Sequence, residues 1–148
     1  MKDNRILQIL REIAAFRKLI FTDREMELSY NINKTQRGVL MYIAFNGPVL
    51  MNQVSERFAL EKGSFTQVAD SLENLLLIER KRCDKDRRKI YLEITEKGKE
   101  TALKIHSATE ARIEKLLSSL SQNEKEKLLS SLEEVAGFID IIRRENDC

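Results

Sequence analysis

The strongest chemical signal in the chain is a run of basic residues near its middle. Between Arg80 and Lys89 there are seven lysine and arginine side chains and two aspartates, whereas the whole chain of 148 residues carries a net charge of only +2. Positive charge is therefore concentrated in one short segment. Side chains of this type neutralise phosphate groups and release counterions from a nucleic acid. An acidic surface of a partner protein could accept the same segment, so this alternative stays open.

A second set of polar side chains lies just upstream, on a helix predicted over residues 63–76. Its inner face would carry apolar residues at helical spacing, namely Phe65, Val68, Ala69, Leu72 and Leu76. Its outer face would expose polar side chains, including Asp70 and Asn74. Hydroxyl and amide groups can hydrogen-bond to base edges and nearby phosphates in the major groove. The candidate DNA contacts on this helix are Ser64, Thr66, Gln67 and Ser71.

This helix is predicted to be the second of a closely spaced pair. Asn33 stands three residues before Gln36, a spacing that predicts the start of an earlier helix, and the glycine and proline in residues 46–48 predict its end. A short helix is then expected around residues 52–58, followed by a turn over residues 60–64 that contains glycine. Two short helices joined by a tight turn are the sequence outline of a helix-turn-helix.

The basic run lies on a predicted β-hairpin directly after this pair. Residues 77–82 have the composition of a strand, and residues 89–94 alternate with period two, which places two isoleucines and a leucine on the inner side. Residues 83–88 between them are polar and form turns readily. The fold class is therefore predicted to be mainly α with a small β-hairpin wing, that is, a winged helix-turn-helix.

Long amphipathic helices are predicted on both sides of this module. Apolar residues recur at helical spacing in the first segment: Ile6, Leu10, Ile13, Phe16 and Ile20, within a helix expected to reach Leu28. Thr95 predicts the start of a helix to about Leu120, and Ser121 with Glu124 predicts the start of a last one. In that last helix a coiled-coil-like seam is formed by Leu128, Leu132, Val135, Ile139 and Ile142. We expect terminal dimerisation helices at residues 1–32 and 99–148, around a DNA-binding domain at residues 33–98.

Enzymatic chemistry finds little support in the residues. The chain has no glycine-rich phosphate loop and no catalytic serine or cysteine motif, and His106, Cys83 and Cys148 lack the spacing of a metal site. We therefore predict no enzyme, no cofactor and no metal. No apolar run reaches the length of a membrane span, and the charged first helix does not fit a signal peptide, so a cytoplasmic protein without a membrane partner is expected.

The hairpin resembles the wing of the multiple-antibiotic-resistance regulator (MarR) family. Residues 86–95 fit the family pattern in which Asp-x-Arg is followed by Leu-Thr, with Ile94 here in place of leucine. Leu72-Glu73, Ile78-Glu79-Arg80 and Gly98 also match the family. The resemblance implies a homodimer built by the first and last helices, a recognition helix at residues 63–75, and a wing that contacts DNA. The wing residues that would contact DNA are Lys85, Arg87, Arg88 and Lys89. Of these, Arg88 would reach the minor groove. Asp86 would brace the wing.

Two positions on the predicted recognition helix depart from the family pattern. Leu76 stands where the family usually has glycine, which predicts a different geometry at the end of the helix. Gln67 stands where the family often has arginine, which predicts a weaker or altered DNA contact. The chain also lacks the cysteine near the N-terminus that the oxidation-sensing branch of the family carries, so peroxide sensing by that route is not expected.

The function predicted from these features is a homodimeric transcriptional regulator, with repression favoured over activation, that binds a pseudo-palindromic operator in double-stranded DNA. By resemblance alone, a small amphipathic or aromatic effector could bind in a pocket lined by Ile13, Phe16, Met41, Tyr42 and Phe45. The competing hypothesis is a protein-interaction module whose basic hairpin binds an acidic partner. Salt dependence distinguishes the two, because binding through several phosphates falls steeply with ionic strength.

Overall fold

The computed structural model describes residues 4–21 and 31–146, and in these residues the chain forms six helices and three strands. They are α1 (Arg5–Ile20), α2 (Lys34–Asn46), β1 (Val49–Leu50), α3 (Met51–Arg57), α4 (Lys62–Asn74), β2 (Ile78–Arg82), β3 (Ile90–Ile94), α5 (Glu96–Leu116) and α6 (Gln122–Asn146). The predicted fold class, mainly α with a small β-hairpin, is confirmed. The chain divides into two compact units, one up to Thr109 and one from Glu110 onwards.

The core of the first unit gathers apolar side chains from α2, α3, α4, the sheet and α5. Its fully buried members are Val39, Leu40, Ile43, Val54, Phe65, Ala69, Leu72, Ile78, Leu92 and Ile105. Burying a large apolar side chain stabilises a fold by about 1.5–3 kcal/mol relative to leaving it in water. Because α4 contributes Phe65, Ala69 and Leu72, its orientation is fixed by the core and its opposite face is directed outward.

The predicted helix starts are confirmed by the hydrogen bonds of their caps. The side chain of Asn33 accepts from the Gln36 N–H at 2.9 Å, and the Asn33 N–H donates to Gln36 Oε1 at 2.7 Å, which completes a capping box at α2. Ser121 and Glu124 make the same reciprocal pair before α6. Exchange of such a capping side chain for alanine typically costs about 1 kcal/mol.

The sheet has the strand order β1-β3-β2, and all its strands are antiparallel. In the hairpin, Ile78 pairs with Ile94 and Arg82 pairs with Ile90, so the wing is a regular two-stranded ladder up to residue 82. β1 adds a third strand on the other side of β3, with Val49 opposite Leu92. The sequence did not predict β1, because a strand of two residues is too short to show a period of two.

Thr95 and Gly98 join the end of α4 to the start of α5. Thr95 Oγ1 donates to the carbonyl of Leu76 at 2.6 Å and accepts from the Gly98 N–H at 2.9 Å, which confirms Thr95 as the predicted cap. A Cβ atom on Gly98 would lie 2.0 Å from the carbonyl oxygen of Leu77. Only glycine therefore permits this close approach of the two chain segments.

The turn between α3 and α4 differs from the prediction. Gly63 lies within the first turn of α4, and the reversal is made instead at Ala59, which has a left-handed φ of 50°. The Ala59 N–H donates to Glu56 O and the Leu60 N–H to Ser55 O, both at 3.0 Å, in the pattern of a Schellman cap. The two hydrogen bonds and the partly buried Leu60 hold alanine in a conformation that glycine adopts more readily.

The end of α4 has the same cap, with Leu76 at the left-handed position (φ 60°). The Leu76 N–H donates to Glu73 O at 2.8 Å, and the Leu77 N–H donates to Leu72 O at 3.0 Å. The buried Leu77 packs in the apolar cluster that also holds Leu72. The prediction that Leu76 imposes a different cap geometry is therefore wrong: the usual geometry forms, with leucine where glycine would be unstrained.

The helices α1 and α6 differ from the central module, residues 33–98, because none of their described residues is buried. On α1 the apolar residues Ile6, Leu10 and Ile13 are 68%, 54% and 37% exposed. On α6 the predicted seam lies on one face, and its members from Leu132 to Ile142 are 40–57% exposed. The predicted extension of the first helix to Leu28 lies in residues 22–30, outside the described part of the chain.

Candidate nucleic-acid interface

The outward face of α4 carries the polar side chains predicted to meet DNA. Ser64, Gln67, Asp70 and Asn74 are exposed, and Thr66 and Ser71 are half-buried on the two flanks of this face. The face is continuous because these positions recur at the spacing of a helical surface. An exposed helix of 13 residues with short polar side chains can enter the major groove of a duplex.

Two of the predicted contact residues are engaged within the protein. Ser71 Oγ accepts a hydrogen bond of 2.7 Å from Gln36 Nε2, so this hydroxyl links α4 to the capped start of α2. Thr66 Oγ1 donates to the Lys62 carbonyl at 2.8 Å, which occupies its only hydroxyl proton. Gln67 is exposed at the centre of the face and offers both an amide donor and an amide acceptor.

The wing loop is ordered by Asp86. Its Oδ1 accepts from the Arg88 N–H at 3.0 Å, and its carbonyl accepts from the Lys89 N–H at 2.9 Å. The Cys83 N–H closes the loop onto the Lys89 carbonyl at 3.0 Å. This Asx-type turn fixes the backbone and leaves the neighbouring long side chains directed into solvent.

The basic residues of the hairpin divide into two groups that the sequence did not distinguish. Five of them are exposed and make no ion pair within the described residues: Arg82, Lys85, Arg87, Arg88 and Lys89. Arg80 and Lys81, at the base of the wing, are paired with carboxylates instead. The unpaired charge available to a partner is therefore smaller than the simple count over residues 80–89 suggests, and it lies at the end of β2 and in the loop.

The ion pairs of Arg80 and Lys81, at the base of the wing, involve carboxylates on different elements. Arg80 forms salt bridges to Asp70 and Glu73 on α4. Lys81 instead pairs within the sheet, where hydrogen bonds to Glu93 first and then to Glu79 raise the pKa of its ammonium group above its ordinary value. No sequence signal separated these roles, since both residues lie in an unbroken basic run.

A cavity of about 540 Å³ lies in the first unit, beside the start of α2. Its walls combine apolar and cationic side chains, the latter including Arg17, Lys34 and Arg37. Arg37 is only 5% exposed, and His106 stacks edge-on against Phe45 at 5.4 Å between ring centroids. A compact ligand with an aromatic or aliphatic body and an anionic group matches such a lining.

The structure brings only two of the five predicted pocket residues to this cavity. Met41 and Phe45 line it. Tyr42 packs in the core cluster with an edge-on contact to Phe58, while Ile13 is 37% exposed on α1 and Phe16 is half-buried there. Lys34 and Gly38 of α2 also line the cavity and were not predicted. The sequence did carry a signal for them, because positions 34, 38, 41 and 45 share one helical face.

Within the described residues, no helix is both long and apolar enough to cross a membrane. In the same part of the chain, no three histidine, cysteine or acidic residues are grouped closely enough to hold a metal ion.

Comparison with known proteins identifies the family. The model of the MarR family matches residues 30–89. The HTH-type transcriptional regulator MhqR of Bacillus subtilis is 33% identical over 72% of this chain and 73% of its own length. The HTH-type transcriptional regulator YkoM of the same organism is 33% identical over 68% of this chain, and the match spans 65% of YkoM, just under two thirds of its length.

The fold of this chain is similar to that of a solved DNA complex. Streptococcus pneumoniae FabT, crystallised in complex with DNA, superposes with a TM-score of 0.73 at 24% identity, over 94% of this chain and 98% of FabT. The basic hairpin behind a helix-turn-helix, the matching family model and the two related regulators lead to one conclusion: the chain belongs to the MarR family of winged-helix transcriptional regulators.

Proposed function

We propose that the protein is a sequence-specific DNA-binding regulator that acts in the cytoplasm as a homodimer on a pseudo-palindromic operator. The observation that carries the proposal is the placement of two complementary surfaces in one compact unit of the chain. The helix α4, with its outward polar face, is joined through Arg80 to the base of the wing, and the wing carries five exposed cations from Arg82 to Lys89. A recognition helix reads base edges in the major groove, and a basic wing neutralises the adjacent backbone.

In this proposal Gln67 makes the main base contact, and the wing cations Lys85, Arg87 and Lys89 bind phosphates. Arg88 enters the minor groove beside the operator core, where a narrow A·T-rich groove has enhanced negative potential. Ser64 and Thr66 contribute contacts at the start of α4. Ser71 supports the helix through Gln36 rather than contacting a base.

Homodimer formation is supported by the apolar faces of α1 and α6, because Ile6 and Leu10 on α1 and Val135 and Ile139 on α6 are 42–68% exposed within the described chain. Large exposed apolar stripes of this kind commonly mark interfaces. Two copies related by a two-fold axis would present two recognition helices to successive major grooves, which matches a palindromic site. A dimer bound to a promoter excludes other proteins from the same DNA, so we favour repression.

Release by a small effector is supported by the cavity beside α2. Its apolar walls and the nearly buried Arg37 suit an aromatic or amphipathic anion. Because Gln36 joins the same turn of α2 to Ser71 of α4, a ligand that displaces this turn would also displace the recognition helix.

The proposal is tested by selecting bound fragments from random duplex DNA and measuring their affinity over a range of salt concentrations. We expect a selected sequence with two-fold symmetry and a linear fall of log affinity with log salt, by about 0.9 for each phosphate contacted. A protein that selects no sequence, and binds an acidic polypeptide instead, would favour the interaction-module hypothesis.

Alanine substitutions then separate specificity from affinity. Gln67→Ala should relax the preference at one base by about 1–3 kcal/mol, and Thr66→Ala should do so less, since its hydroxyl proton is already bonded to Lys62. Lys85→Ala or Arg87→Ala should weaken all sequences similarly and reduce the salt slope by about one. An unchanged ratio of operator to random-DNA affinity in Gln67→Ala would show that α4 does not read bases.

A further inference from the structure

Arg80 belongs to the base of the wing, but its side chain binds the recognition helix. Its Nη2 lies 2.6 Å from Asp70 Oδ1, and its Nη1 lies 2.5 Å from Glu73 Oε2. The backbone N–H of the same residue donates to Glu73 Oε1 at 3.2 Å. The Arg80 side chain is only 22% exposed, so these bonds are partly shielded from solvent. One residue of β2 is thus fastened to two successive turns of α4.

We infer that Arg80 is a positioning residue that sets the distance and angle between the wing and the recognition helix, an inference that rests on the proposed DNA-binding function. Among the described residues, the backbone hydrogen bonds of the wing loop lie within residues 83–89, so the loop itself adds none to α4. The planar guanidinium can engage two carboxylates at once, which an ammonium group cannot do with the same geometry. A wing free to swing on β2 would no longer deliver Arg88 to a fixed place on the duplex.

The pair with Asp70 has a second consequence for the interface. Asp70 lies on the outward face of α4 between Gln67 and Asn74, and its side chain is 52% exposed. An unpaired carboxylate at that position would repel the phosphates beside the major groove. Arg80 balances this charge, so the acidic residue can remain on a surface that meets DNA.

Lys81 provides a matched control because it differs mainly in what it connects. It neighbours Arg80, carries the same charge and is also paired with two carboxylates, Glu79 and Glu93. Both of those partners lie in the hairpin. Loss of Lys81 therefore removes a cation and two ion pairs without releasing the wing from α4.

The test is a double-mutant cycle on the selected operator, measured by fluorescence anisotropy. Arg80→Met is combined with Asp70→Asn and Glu73→Gln, so that no unpaired carboxylate repels the DNA. This triple variant is compared with the unmodified protein and, separately, in an Arg88→Ala background. If Arg80 acts by placing the wing, the triple change lowers affinity about tenfold in the first comparison and by a clearly smaller factor in the second, because the Arg88 contact is already gone and only the phosphate contacts of the other wing cations remain to be lost.

Lys81→Met, combined in the same way with Glu79→Gln and Glu93→Gln so that no carboxylate is left unpaired, should lower affinity less than about threefold, and by the same factor in both backgrounds. Equal losses for the triple variant in both backgrounds would overturn the inference, since they would show a contact or a stability effect that is independent of the wing. The inference would also be overturned if the Lys81 variant showed the same tenfold loss of affinity and the same dependence on Arg88. A wild-type protein that selects no operator contradicts the proposed function itself, and the positioning role then falls with it.

Discussion

The central module and the terminal helices differ in how far their apolar side chains are buried within the chain. In the module, Leu72 and Phe65 of α4 are shielded almost completely by residues of the same chain. On α6, Val135 and Ile139 remain 42% exposed although they repeat as regularly as any core position. The same apolar chemistry therefore specifies a self-contained core in one region and, in the other, an exposed face that we propose as the dimer interface. The difference predicts which substitutions damage folding and which damage assembly.

The largest effect is expected from a charge placed on the seam of α6. Ile139→Asp would bury an unpaired carboxylate in each half of a symmetric interface, at a cost of several kcal/mol. We expect the dimer to weaken by more than about 100-fold, with operator affinity falling in parallel, while the central module stays folded. Analytical ultracentrifugation and circular dichroism measure the two properties separately.

Ile141 supplies the control for this substitution. It lies two residues away on the same helix, is 53% exposed and points to nearly the opposite side. Ile141→Asp should leave the dimer largely intact. Equal dissociation by both variants would contradict a narrow seam, and a monomeric wild-type protein would contradict the interface altogether.

A smaller effect is expected at the wing, where affinity and stability should separate. Arg88→Ala removes an exposed side chain with no bond to other described side chains, so the free energy of unfolding should be unchanged. Operator affinity should fall by about 1–3 kcal/mol, more than for Lys85→Ala or Arg87→Ala, and Arg88→Lys should restore only part of it.

The proposed minor-groove role of Arg88 gives this prediction its control. Replacing the A·T-rich flanks of the operator by G·C widens the groove and should reduce the penalty of Arg88→Ala. Fluorescence anisotropy on both operators measures the change. A penalty that is identical on the two operators would make Arg88 an ordinary phosphate contact.

The sequence predicted the elements of this molecule better than the contacts between them. The caps at Asn33, Thr95 and Ser121 follow from local chemistry, because each side chain bonds to the backbone within three residues. The ion pairs of Arg80 were not predictable from the basic run, because they depend on how β2 returns beside α4. Likewise, the cavity required α1, α2 and α5 to be placed together, so only Met41 and Phe45 were anticipated among its residues.

The smallest effect concerns Leu76, where local preference and the fold disagree. Leucine in a left-handed conformation is strained by about 1–2 kcal/mol, and Leu76 is 65% exposed, so its side chain returns little through packing. Leu76→Gly removes the strain, whereas the greater freedom of glycine in the unfolded chain offsets about 0.4–1 kcal/mol. We expect a net stabilisation of about 0.5–1 kcal/mol, measured by urea unfolding, with operator affinity unchanged. The control is Asn74→Gly, two residues earlier and still in helical backbone, which should destabilise the protein because glycine is a poor helix former. A loss of stability in Leu76→Gly would show that the leucine side chain, rather than the backbone conformation alone, holds the end of α4 in place.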